Sequence, residues 1–81
     1  APGSSAYAGR LWPNPAQDVL YVEWGAADAW RLYDASGRQA GAGVAQGPVQ
    51  ALPLAGLPAG SYVFCFYREG RVMQGVRVVK E

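Results

Sequence analysis

No stretch of this chain places apolar residues at a helical spacing. Eleven Gly and six Pro fall in clusters between the apolar runs instead. Apolar runs punctuated roughly every 8–12 residues suit short strands joined by tight turns. The segment AQGPVQALPLAG carries Pro48 and Pro53, which excludes a long helix there. The chain is therefore expected to build its core from sheets alone.

Seven strand-like runs can be traced. The first spans 7–12 and stops at Pro13. The second, 18–24, alternates, with Leu20, Val22 and Trp24 on one face and Val19, Tyr21 and Glu23 on the other. The third, 30–33, places Trp30 and Leu32 together. Asp34-Ala35-Ser36-Gly37 is turn chemistry: the carboxylate can accept from downstream amides, and Gly37 can take a positive φ. A weak fourth strand returns at 38–42, and a fifth runs over 49–54. The sixth, 61–68, is the most apolar and is expected to be central. The seventh, 72–80, aligns Val72, Val76 and Val78. Together these predict an all-β, immunoglobulin-like antiparallel β-sandwich of about seven strands. Its expected core holds Leu20, Val22, Leu32, Tyr62, Phe64, Val76 and Val78.

Length sets one domain: a chain of 81 residues buries only ~60–65% of its unfolded surface, so the core is thin. Hydrophobic residues make up 51%, enough to argue against disorder. Seven basic and six acidic residues are scattered, leaving a net charge of +1 and no basic patch for nucleic acid. No apolar run is long enough for a transmembrane segment. A single cysteine excludes an intrachain disulfide. No signal peptide is visible, and residues 1–6, APGSSA, read as a linker remnant, so an upstream passenger domain is expected before the folded domain at 7–81.

Catalytic chemistry finds little support. Histidine is absent, which removes Ser-His and Cys-His pairs and the commonest metal ligand. No carboxylates fall at calcium-ligand spacing. No catalytic residue, metal or cofactor is expected. Cys65, within VFCFY, reads either as a reactive thiol or, preferably, as a small core hydrophobe. Trp12, Trp24 and Trp30 read as a sugar or partner platform or, preferably for Trp24 and Trp30, as core. In LPAGSYVFCF, Tyr62 follows a Pro-Gly turn. It reads as a tyrosine corner, its hydroxyl returning to an upstream backbone group, or as plain packing after the turn.

Read in order, LWPNPAQDVLYVEW, RLYDASGRQAG, LPLAGLPAGSYVFCFYREGR and the terminal VRVVKE resemble the C-terminal sorting domain of type IX secretion cargo, type A, of Bacteroidetes-type Gram-negative bacteria. The resemblance covers about residues 7–81. The family's Pro-Asn-Pro box matches Pro13, Asn14 and Pro15, and its Tyr-Asp-x-x-Gly-Arg box matches Tyr33, Asp34, Gly37 and Arg38. The Leu-Pro-x-Gly-x-Tyr box matches Leu57, Pro58, Gly60 and Tyr62. The terminal Val-rich strand with a Lys near its end matches Val76, Val78, Val79 and Lys80. Two features depart from the pattern: Cys65 and Phe66 replace aliphatic residues, and GAGVAQGPVQ is unusually rich in Gly and Ala.

The resemblance implies an address label. The label directs an upstream passenger from the periplasm through the outer membrane to the cell surface or beyond. Its implied partners are the outer-membrane shuttle barrel, the translocon and a sortase that commonly cuts the preceding linker. The competing reading is a fibronectin-like accessory module that contacts a glycan or a neighbouring domain through exposed aromatics. The proline elbow is expected to end the first strand, carry the chain to the other sheet and blunt an edge. The last strand is expected to offer its edge to a receptor, with Gly75 allowing close approach and Arg77, Val79 and Lys80 contributing to recognition.

Overall fold

A computed structural model of the chain describes residues 9–81. The expected linker at 1–6, and residues 7 and 8 of the expected first strand, lie outside the described residues. Seven strands follow one another: β1 (Arg10–Trp12), β2 (Val19–Glu23), β3 (Ala29–Asp34), β4 (Gln39–Val44), β5 (Val49–Pro53), β6 (Gly60–Arg68) and β7 (Arg71–Lys80). They form two antiparallel sheets, ordered β1-β2-β5 and β4-β3-β6-β7. The apolar sixth run is central in the larger sheet, as its composition predicts. The β6–β7 hairpin turns on Glu69 and Gly70, with φ of 52° and 81°, the mirror-type turn that matches strand twist. The carboxylate of Asp28 accepts from the Glu69 amide at 3.0 Å and fastens that turn.

The sheets face each other across a core that includes Leu20 and Val22 from β2, Leu32 from β3, and Tyr62, Phe64 and Phe66 from β6. Val78 closes it from β7. Of the seven residues named as the expected core, Val76 alone is half-buried, packed against the core from its margin. Leu52, Leu54, Trp24, Ala16 and Ala27 complete the interior. Trp24 is 2% exposed and meets both Phe64 and Phe66, at 6.1 Å between ring centroids in each case.

Two inward assignments are corrected by register. The β6–β7 pairing slips by one residue between Phe66 and Tyr67. Met73 therefore packs against the core, and Val72 turns out to solvent at 58% exposure. Cys65 alternates with Phe64 and Phe66, so it lies on the outer face opposite Arg31 and Gly75. It is half-buried there rather than a core residue, and the burial it does have pushes its thiol pKa up.

The glycine-rich fourth strand has a packing reason. β4 extends to Val44, two residues beyond its expected end, and pairs Trp30 with Gly43 and Leu32 with Gly41. The Trp30 indole stacks on Phe64, 5.4 Å between centroids and 9° from parallel. It lies over both glycines: a Cβ on Gly43 would stand 2.8 Å from Trp30 Nε1, and one on Gly41 would stand 3.3 Å from the ring. The absent side chains are the room the indole occupies. Gly43→Ala is expected to lower stability by roughly 1–3 kcal/mol through overpacking, read as a fall in denaturant midpoint, with a smaller loss for Gly41→Ala.

Candidate recognition site

The three boxes are far apart in sequence, and the sheet registers bring them to one end of the sandwich. Asp34 pairs with Tyr62, Tyr62 with Val78, and Gly60 with Lys80. Ala16, just after the elbow, bridges Lys80 in parallel. A shallow cleft of about 320 Å³ separates the Asp34 turn from the Leu57–Tyr62 corner.

The elbow works as a clasp. Both proline bonds, Trp12–Pro13 and Asn14–Pro15, are cis. Between them, the Asn14 amide lies along the edge of β7. Its Nδ2 donates to the Arg77 carbonyl at 2.7 Å, and its Oδ1 accepts from the Val79 amide at 3.1 Å. Ala16 continues the pairing: its amide donates to the Val79 carbonyl, and its carbonyl accepts from the Glu81 amide, both at 2.8 Å. A primary amide sets an N–H donor and a C=O acceptor side by side, so asparagine can imitate a strand residue at an edge. The prolines have no N–H to leave unpaired there.

Two expectations about this region are corrected. The elbow does not carry the chain into the other sheet, because β2 returns antiparallel beside β1. What crosses over is the short segment through Asn14 and Ala16. The edge of β7 is also not open along its length, since Arg77, Val79 and Glu81 have outward backbone groups already paired. The outward backbone groups of Gly75, two residues earlier, remain beyond the clasp.

The second box is a self-contained turn. Asp34 Oδ1 accepts from the Ser36 amide at 2.9 Å, the Ser36 hydroxyl at 2.7 Å and the Arg38 amide at 2.9 Å. Gly37 has φ 88° and donates to the Asp34 carbonyl at 3.0 Å. The Ser36 hydroxyl first, and the Arg38 amide next, hold the Asp34 carboxyl below its ordinary pKa. In the third box, the Tyr62 hydroxyl donates to the Pro58 carbonyl at 2.5 Å. That is a tyrosine corner, four residues back, and it decides between the two readings of Tyr62. Leu57 packs against the core margin.

The other expected residues separate by alternation. Gly75, Arg77 and Val79 share the outer face of β7, and the Arg77 guanidinium reaches the Ser61 hydroxyl at 3.3 Å. Lys80 lies on the opposite side and donates to the Glu81 carbonyl at 3.2 Å. Tyr33 faces outward with its hydroxyl 3.5 Å from that of Tyr67. The Tyr67 contact, and then the nearby Arg31 guanidinium, draw the Tyr33 pKa down, while the Tyr67 pKa rises, chiefly through the same contact. Sequence reasoning passed over Arg31 and Tyr67, although their alternation with Leu32 and Phe66 already set them on the outside.

A seven-stranded sandwich closed by a clasp, a corner and an Asp turn is a Greek-key class of domain whose signature residues build its ends. The model of the secretion system C-terminal sorting domain matches residues 10–80, and the chain belongs to that family. Its function is accordingly that of a type IX secretion C-terminal sorting signal, and domains of this family are non-catalytic in general. No curated protein matches the chain.

Asn14→Ala removes both side-chain bonds to β7 and is expected to cost roughly 1–2 kcal/mol, against ~1 kcal/mol for Tyr62→Phe, given the usual net value of a hydrogen bond. Denaturant midpoints of the two variants check this. Hydrogen exchange at the Val79 amide should quicken in Asn14→Ala and not in Tyr62→Phe.

Asp34 also gives the domain an acid limit. Its folded pKa lies below its unfolded one, so its contribution is complete above about pH 3.9 and disappears as pH falls through the folded value. Asp34→Asn should therefore flatten the decline in melting temperature on the acid side of about pH 4 while leaving the neutral-pH profile parallel to that of the wild type.

Proposed function

We propose that this domain is a C-terminal address label that carries an upstream passenger through the outer membrane and acts as a folded unit. The match to the sorting-domain family over residues 10–80 carries the reading. The label travels through the periplasm, meets an outer-membrane shuttle barrel and the translocon, and arrives at the surface, where a sortase cuts the preceding linker. Supporting this, the chain invests its signature residues in holding the ends of the sandwich closed. Asn14, Asp34 and Tyr62 are each engaged by backbone groups of the domain itself. Such use suits a signal that must keep its shape in a crowded compartment.

In this reading Pro13, Asn14 and Pro15 guard the terminal strand, while Tyr33, Asp34, Gly37 and Arg38 set the β3–β4 turn. Leu57, Pro58, Gly60 and Tyr62 set the entry to β6. Gly75, Arg77, Val79 and Lys80 present the end of β7 to the machinery. A second reading has one observation in its favour. Trp12 and Tyr21, 41% and 42% exposed, stack 6.0 Å apart on the outer face of the smaller sheet, as a platform for a glycan or neighbouring domain would.

Fusion of the domain behind a fluorescent reporter in a type IX-competent host separates these. The wild-type fusion should reach the surface or medium. Arg77→Ala with Lys80→Ala should melt within about 1 kcal/mol of wild type, as exposed charges do, yet accumulate in the periplasm. Ten residues appended after Glu81 should act likewise. Export unchanged in both constructs would move recognition away from the end of β7. Unchanged export in Trp12→Ala together with loss of glycan or neighbouring-domain binding would favour the accessory platform.

A further inference from the structure

The boxes that define this domain are largely spent on its own backbone, and the edge of β7 at Arg77–Glu81 is clasped by Asn14 and Ala16. A partner that reads the folded domain must therefore read side chains rather than the backbone of that edge. The outer face of the four-stranded sheet offers them. Val44, Val63 and Val72 stand 61%, 42% and 58% exposed on it. Cross-strand pairs set Arg31 beside Cys65, Cys65 beside Gly75, and Val63 beside Arg77, so the middle of the face is low and flat.

Charge on this face is one-sided. Arg31 and Arg77 are its strand-borne charges, and no Asp or Glu of β3, β4, β6 or β7 points outward with them. Among the described residues, neither arginine has a carboxylate at ion-pair distance. The smaller sheet differs, since its Arg10 is already paired with Glu23 at 2.8 Å. Arg31 is also held in place: its guanidinium lies 4.9 Å from the centre of the Tyr67 ring. A guanidinium resting on an aromatic ring keeps its fork of donors in a fixed plane, ready for a carboxylate.

We propose that this outer face, centred on Arg31 and flanked by Val63, Tyr67 and Arg77, docks a protein surface of the secretion machinery that presents carboxylates among aliphatic side chains. The inference rests on the sorting function above. The apolar residues supply the buried centre of such an interface, and the two arginines fix its orientation and exclude basic surfaces. A second copy of this chain is disfavoured by the same charges, because two such faces would set arginine against arginine.

The test is the reporter fusion carrying Arg31→Glu with Arg77→Glu, beside Arg31→Gln alone, each shown by circular dichroism to melt cooperatively. Surface-exposed reporter should fall about tenfold or more in the double variant, as when desolvated charge pairs are broken, and by less in Arg31→Gln. Should the double variant fail to fold, Arg31→Gln carries the test. A folded variant exported as well as wild type overturns this docking face and leaves the sorting reading standing. A wild-type fusion that is itself retained overturns both. Sedimentation of the purified domain with lipopolysaccharide vesicles, abolished by the double substitution, would make the occupant a membrane surface and overturn the protein partner.

Discussion

With one cysteine and no disulfide available, the two sheets are held by contact, and the contact is mostly aromatic. Phe64 sits at its centre. It stacks on Trp30 from the same sheet, meets Trp24 from across the core, and touches Phe66 edge-on at 5.1 Å. Large rings concentrate burial in few residues, which matters in a chain too small for a deep interior. Other features follow from fitting these rings. β4 gives up its side chains at Gly41 and Gly43 to admit Trp30. The chain after β2 places Trp24 inward before it turns. Trp24 Nε1 is buried with no hydrogen-bond partner among the described residues, a local penalty that the packing of its ring offsets.

An aromatic centre fixes the middle of the sandwich and leaves its ends to polar devices. Each device converts a chain end or crossover into a closed set of backbone bonds. Asn14 stands in for a strand residue against β7, Asp34 gathers the donors of its own turn, and Tyr62 returns to Pro58. Each bond is worth little alone, about 1 kcal/mol net. Their value lies in where they act, since frayed ends and open edges are where a small sandwich would otherwise begin to unfold or to pair with a neighbour.

The strand count, the central place of β6 and most of the core were legible because alternation is a strong signal when one face is buried. The same signal, followed consistently, would have placed Cys65 and Tyr67 outside; treating VFCFY as a uniformly apolar run hid that. Met73 and Val72 were not legible, since a one-residue bulge reverses inward and outward without any mark in composition. Nor was the clasp. Pro-Asn-Pro announces an elbow, but nothing local says that Asn14 meets a strand more than sixty residues later. Gly41 and Gly43 looked like a weakness of the fourth strand and are the space for Trp30.

The clasp bears on how a sorting signal of this kind is read. Insertion of a partner strand along Arg77–Glu81 would have to displace the two bonds of Asn14 and the two of Ala16. It would replace those four bonds with about as many of its own, so backbone pairing there gains little net free energy. Recognition that leaves the fold intact must instead draw on surface not yet committed to the domain. The larger sheet has that surface, an aliphatic face with two arginines that have no carboxylate at ion-pair distance among the described residues. Motif residues that make the fold and face residues that meet the partner would then be different sets. Substitutions in the first set act through stability, and those in the second act at constant stability.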